Sequence, residues 1–115
     1  MATLPAVFTA MVLSTASADE KIDLVDVMTL EPRWELDIRY ATTDNFTGQV
    51  LYPTARCLLR PAVAKMLVEA QKHLDAKHPG FTLRLKDCYR PRSVQLAMWK
   101  VVAGTPEQSY VANPH

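Results

Sequence analysis

The amino-acid sequence predicts a small α+β fold, an antiparallel sheet with flanking helices, from two kinds of periodicity. Residues 34–40 and 81–86 alternate between apolar and polar side chains, and this period of two is typical of half-buried strands. Two later segments carry apolar residues at spacings of three and four, which predicts amphipathic helices. The 115 residues are 49% hydrophobic and 22% charged, so the composition is that of a globular protein.

The first predicted strand, WELDIRY, leads into a polar loop, YATTDNFTG, at residues 40–48. Trp34, Leu36 and Ile38 alternate with charged residues, so one face of the strand should be buried. Residues 49–52 should form a short return strand. The loop itself fits two structures equally well: a solvated hairpin loop, or a loop that lines an active site.

Pro61 should begin the first helix, because its missing N–H costs nothing there, and a Pro-Gly pair should end it after His78. The predicted apolar face of this helix consists of Val63, Met66, Leu67, Ala70 and Leu74. Ser93 should cap a second helix that Gly104 terminates. Its predicted apolar face consists of Val94, Ala97, Met98, Val101 and Val102. Residues 107–115 should form a loop.

Residues 1–18 are predicted to be an export signal. They carry no charged side chain and end in Ala16, Ser17 and Ala18, the small-x-small pattern of a signal-peptidase site, although the usual Lys or Arg near the start is absent. A buried N-terminal helix is the alternative. Cleavage after Ala18 predicts a periplasmic or secreted protein with no membrane segment left.

The net charge bears on the binding partners, and the cysteines and histidines bear on disulfides and metal sites. The formal net charge of +1 gives no electrostatic reason to expect nucleic acid or an anionic membrane surface as a partner. Cys57 and Cys88 could form a disulfide in an exported chain or remain two buried thiols in the cytosol. Their spacing matches no paired zinc motif. The three histidines, His73, His78 and His115, form no metal-binding pattern.

The segment DCYRP, residues 87–91, is the strongest local signal for chemistry. It lies between the second predicted strand and the second helix. Pro91 disfavours helical geometry at Arg90, so the arginine side chain should have a fixed direction. An arginine suits a carboxylate or an oxyanion because it is always charged and fork-shaped. The alternative is a structural arginine that pairs with Asp87 or binds backbone carbonyls.

Several ordered segments resemble the zinc D-alanyl-D-alanine dipeptidases of the VanX type, in peptidase family M15. They are WELDIRYATTDNFTG, YPTARCLLRPAVAKML, LRLKDCYRPRSVQ and SYVANP, and the resemblance as a whole runs from about residue 28 to the end. The resemblance implies hydrolysis of D-Ala-D-Ala to two D-alanines by a zinc-bound water. It implies that Arg90, in the YRP element, stabilises the oxyanion, and that Tyr40, Asp44 and Asn45 shape a small substrate pocket.

The zinc ligands and the catalytic glutamate of the resembled family lie in a segment that does not match this chain. We therefore expect residues 19–115 to be the N-terminal part of a catalytic domain, with a sheet incomplete at the C-terminus, no metal ligand of its own and no activity alone. Two other functions stay open, a related D,D-carboxypeptidase and a non-catalytic module that binds D-Ala-ending cell-wall peptides. The chemistry would serve D-alanine recycling or glycopeptide resistance, and the export signal favours recycling.

We also expect a disulfide between Cys57 and Cys88 in the exported protein. Cys88 lies beside Arg90, and Cys57 follows the DNFTG loop. If both segments border one pocket, the two thiols should lie close together.

Overall fold

The computed structural model describes residues 22–115, so the predicted export signal lies outside the described residues. The chain forms six regular elements in the order β1, β2, β3, α1, β4 and α2. They span Val25–Asp26, Glu35–Leu36, Leu58–Leu59, Pro61–Lys77, Arg84–Leu85 and Arg92–Val102. Short 3-10 helices occupy Val27–Thr29, Arg39–Ala41 and Pro106–Tyr110. The predicted α+β class is confirmed.

The strands form two separate pairs. β1 and β3 are antiparallel, with Val25 opposite Leu59, and the sequence patterns identified neither of them. β2 and β4 belong to the two predicted strand segments and pair in parallel, with Glu35 opposite Arg84. A parallel pair needs a long crossover connection, and the segment between β2 and β4 contains α1.

The predicted strand over residues 34–40 is shorter than expected. Its strand geometry is confined to Glu35–Leu36, because the N–H groups of Ala41 and Thr42 donate back to the carbonyls of Ile38 and Arg39, both at 3.0 Å, and form a 3-10 helix. The alternation still marks the buried face, since Trp34 and Ile38 are 2% and 4% exposed.

Two further strand predictions need correction. The return strand at residues 49–52 is wrong, because the N–H groups of Leu51 and Tyr52 both donate to the carbonyl of Tyr40, at 2.8 and 2.9 Å, and no ladder forms. The strand predicted over residues 81–86 is confined to Arg84–Leu85, because Phe81 closes a turn onto the carbonyl of His78.

α1 begins at Pro61, as predicted, and ends at Lys77, one residue before the predicted end, but its buried face is rotated from the predicted one. Val63, Met66 and Ala70 are exposed, whereas Ala64 and Gln71 are buried. Gln71 holds three segments together: its Oε1 accepts from Trp34 Nε1 at 2.9 Å and from Leu83 N at 3.1 Å, and its Nε2 donates to the carbonyl of Phe81 at 3.0 Å. A polar core residue of this kind is invisible to an apolar pattern.

α2 buries the predicted residues Val94, Met98 and Val102, whereas Ala97 is exposed. The predicted Ser93 cap is wrong. Pro91 occupies the N-cap position, and no side chain caps the helix.

The predicted loop after α2 instead packs on the helix. Pro106–Tyr110 is helical, and Val111 is 6% exposed against Met98 and Val102. Gly104 follows α2 with φ +76°, a left-handed conformation that favours glycine, and so fits its predicted role as terminator. No helix within residues 22–115 is long and apolar enough to cross a membrane.

Candidate active site

Arg90 lies between β4 and α2 and is held by four contacts. Its Nε donates to the Tyr52 hydroxyl at 3.1 Å, and its Nη2 donates to Asp87 Oδ2 at 2.7 Å. Its Nη1 donates to Gln95 Oε1 at 2.9 Å and to the sulfur of Met98 at 3.4 Å. The side chain is 28% exposed, so it is anchored at the edge of the core rather than free in solvent.

A guanidinium has five N–H groups, and these contacts engage four of them. One N–H on Nη2 of Arg90 has no acceptor among residues 22–115. The Cζ of Arg90 lies over the Tyr40 ring, 5.3 Å from its centre, in a cation–π contact. Arg90 is thus oriented by its neighbours and retains one hydrogen for a ligand.

Tyr52 and Asp87 form a hydrogen-bonded cluster with Arg90. The Tyr52 hydroxyl donates to Asp87 Oδ1 at 2.7 Å while it accepts from Arg90. Burial and the hydrogen bond to Asp87 raise the pKa of Tyr52 to about 12. Burial alone would lower the pKa of Arg90, but the hydrogen bonds to Asp87 and Tyr52 outweigh it, so that the pKa of Arg90 is raised.

A pocket of about 390 Å³ opens next to this cluster. It is lined by Arg39, Tyr40, Asp44, Asn45, Phe46, Lys86 and Asp87. The structure therefore brings the three predicted pocket residues into one cavity. Arg90 itself is not in the lining, but it contacts Tyr40 and Asp87, which are.

The pocket loop holds its shape through Asn45. The Nδ2 of Asn45 donates to the carbonyls of Thr42 and Gln49 at 2.7 and 2.9 Å, and its Oδ1 accepts from Thr47 N at 2.9 Å. These bonds occupy both ends of the amide. Asn45 therefore stabilises the conformation of the loop, whereas the Asp44 side chain is 80% exposed and forms an ion pair with Arg39.

Charges of both signs surround the pocket. Arg39 pairs with Asp44 and, at 3.0 Å, with Asp37, which also pairs with Lys86 at 2.6 Å. The hydrogen bonds from Lys86 and Arg39 hold the pKa of Asp37 below its usual value. The rim therefore offers cationic and anionic groups within one small cavity.

A disulfide joins Cys57 and Cys88, the pair expected from the sequence, with their Cα atoms 5.2 Å apart. Tyr89 N donates to the carbonyl of Leu58 at 2.9 Å, next to the bridge. The segment that carries Arg90 is thus attached to β3 and the residue before it at two consecutive positions, Cys88 and Tyr89.

The described residues do not fit a metal centre. Within residues 22–115 no three His, Cys, Asp or Glu side chains come together in a way that could hold an ion, and both cysteines are in the disulfide. A zinc ion needs three or four such ligands.

Sequence reasoning missed two of the residues that hold Arg90. Tyr52 lies 38 residues before Arg90, and only the tertiary fold brings them together. Gln95 lies near the start of α2, and no sequence pattern marked it. The ion pair with Asp87, which the sequence offered as the structural alternative, is present together with the free N–H.

Residues 20–115 match the model of the peptidase M15 family described as D-Ala-D-Ala dipeptidase, and the chain belongs to this family.

Two curated relatives carry the same description. The D-alanyl-D-alanine dipeptidase of Escherichia coli (strain K12) is 35% identical over 95 residues, which cover 79% of this chain and 45% of the relative. That of Enterococcus faecalis (strain ATCC 700802 / V583) is 45% identical over 71 residues, which cover 60% of this chain and 33% of the relative. The chain spans less than half the length of either relative.

Proposed function

We propose that this segment is the part of a longer D-Ala-D-Ala dipeptidase that supplies the oxyanion-stabilising arginine, Arg90. The observation that supports this most strongly is the anchored guanidinium, which has one N–H without an acceptor among residues 22–115 and contacts two residues that line the pocket, Tyr40 and Asp87. A preorganised donor stabilises negative charge that develops in a transition state, because it need not reorient when the charge appears.

The hydrolysis of a peptide bond places negative charge on the former carbonyl oxygen. In our proposal the free N–H of Arg90 donates to that oxygen. The other N–H groups keep their bonds to Tyr52, Asp87 and Gln95, so the fork does not rotate. The carboxylate of Asp87 offsets part of the positive charge of Arg90, but its bond to Nη2 also fixes one end of the guanidinium.

The size and charge of the pocket support a free dipeptide as substrate. D-Ala-D-Ala carries an ammonium group and a carboxylate a few ångströms apart, and the rim presents Asp44 together with Arg39 and Lys86. A substrate with its amino group bound in a longer peptide would make no use of the acidic group. This favours the dipeptidase over a D,D-carboxypeptidase.

We propose that zinc activates the attacking water, as the family resemblance implies. Because residues 22–115 do not fit a metal centre, the ligands in this proposal come from elsewhere in the longer enzyme. We also propose export to the periplasm or outside the cell, in line with the apolar N-terminal sequence and its small-x-small ending.

The test is a comparison of substrates in the full-length enzyme that contains this segment. D-Ala-D-Ala should be hydrolysed in a chelator-sensitive reaction, and an N-acylated peptide ending in D-Ala-D-Ala should be hydrolysed poorly. A preference for the acylated peptide would support the D,D-carboxypeptidase instead. Tight binding of either ligand without hydrolysis would support the binding module.

A further inference from the structure

Gln95 makes two side-chain hydrogen bonds that connect Arg90 to a distant stretch of backbone. Its Oε1 accepts from Arg90 Nη1 at 2.9 Å, and its Nε2 donates to the carbonyl of Ala112 at 2.7 Å. Both ends of the amide are therefore used. The bond to Ala112 fixes which way the amide is turned, so that its oxygen faces the guanidinium.

The two outer nitrogens of Arg90 are held from opposite sides. Asp87 binds Nη2 at 2.7 Å, and Gln95 binds Nη1. With the bond from Nε to the Tyr52 hydroxyl, these give three fixed points, which determine the plane of the fork as well as its position. Without Gln95, Nη1 would keep only its contact with the sulfur of Met98.

The chemistry of an amide suits this place. A second carboxylate would also accept from Nη1, but it would cancel the remaining positive charge that a developing oxyanion needs. A neutral amide oxygen orients Arg90 and leaves its charge in place.

We propose that Gln95 is a positioning residue for Arg90, which holds the guanidinium plane without neutralising it and is itself aligned by the carbonyl of Ala112. This inference rests on the proposed role of Arg90 in hydrolysis. The orientation of Arg90 can nevertheless be measured without any activity.

The experiment compares Gln95→Met, Gln95→Glu and a control, Lys100→Met, in the full-length enzyme. Met keeps the length of the side chain and removes both bonds, Glu keeps an acceptor for Arg90, and Lys100 is exposed on the same helix. The first readout is the rate at which phenylglyoxal modifies Arg90, measured by mass spectrometry of its peptide. The second is kcat and KM for D-Ala-D-Ala.

Gln95→Met should raise the modification rate of Arg90 about tenfold, as expected for the loss of one hydrogen bond to a charged group. Its kcat should fall by up to about 10²-fold, the cost of a misplacement of about 1 Å, with little change in KM. Gln95→Glu should keep Arg90 protected and still lower kcat, because the new charge opposes the oxyanion. Lys100→Met should match wild type in both readouts.

An unchanged modification rate in Gln95→Met would overturn the inference, and so would a Gln95→Glu variant in which Arg90 reacts as fast as in Gln95→Met. If Gln95→Met does not fold, the test relies on Gln95→Glu alone, which should show an Arg90 protected from phenylglyoxal together with a reduced kcat. If the wild-type enzyme does not hydrolyse D-Ala-D-Ala, the proposed function fails, while a tenfold difference in modification would still support the positioning of Arg90.

Discussion

The replacement of Gln71 by Met should destabilise the fold more than any exposed substitution. Gln71 is 2% exposed and is the acceptor for the indole N–H of Trp34 and the backbone N–H of Leu83. Met has nearly the same shape but no polar atom to replace them. Both donors would then be left unpaired, and Trp34 is itself only 2% exposed.

The size of the effect follows from these two donors. At about 1–3 kcal/mol for a buried group left without a partner, the indole N–H of Trp34 should lower the free energy of unfolding by about that amount, and the part-buried N–H of Leu83 should add to it. This is a large part of the roughly 5–15 kcal/mol that holds a typical domain together. The carbonyl of Phe81 adds less, because that residue is 66% exposed and water can replace the amide.

Urea denaturation followed by tryptophan fluorescence measures the change. Gln49→Met is the matched control, since Gln49 is exposed and its side chain makes no hydrogen bond within residues 22–115. A loss below about 1 kcal/mol in Gln71→Met, close to that of a single exposed hydrogen bond, would refute the argument that Gln71 holds these segments together.

Three further predictions concern the site. Burial and Asp87 raise the pKa of Tyr52 to about 12, so the folded protein keeps a proton that the unfolded chain loses near pH 10. The free energy of unfolding should therefore fall as pH rises from 10 to 12, and Tyr52→Phe should flatten that decline in alkaline unfolding curves. Non-reduced, denatured protein should show no free thiol, and the double variant of Cys57 and Cys88 to Ala should lose about 2–4 kcal/mol, whereas two titratable thiols would contradict the bridge. Asn45→Ala should speed amide hydrogen exchange at Thr47, whose N–H it binds, and raise KM more than it lowers kcat; unchanged exchange would count against it.

Local sequence patterns identified the features that depend on residues close together in the chain, such as a helix start and a buried helix face. Pro61 marks the start of α1, and the spacing of Val94, Met98 and Val102 gives the buried face of α2. Strand length was overestimated, because alternation reports which side chains face the core and not whether the backbone finds a partner. Ile38 is buried as predicted although it lies outside any strand.

The site was predictable only in part. The motif around Arg90 predicted a side chain with a fixed direction, and the resemblance indicated that the loop containing Tyr40 lines the pocket. The anchors of Arg90 could not be inferred, because Tyr52 and Gln95 reach it through tertiary contacts that leave no local pattern. For the same reason, the buried amide of Gln71 gave α1 a different inner face from the one its apolar residues suggest.

The most direct test of the central claim is the replacement of Arg90 in the full-length enzyme. Arg90→Ala should lower kcat for D-Ala-D-Ala by about 10²–10³-fold, the range for the loss of one oxyanion donor. Arg90→Lys should recover little of it, because an ammonium group cannot make the same set of bonds to Tyr52, Asp87 and Gln95. Zinc content and the unfolding midpoint should be measured alongside to show that the variants are folded and metallated. A kcat within twofold of wild type in a folded, metallated Arg90→Ala enzyme would show that Arg90 is a structural residue and would contradict the account.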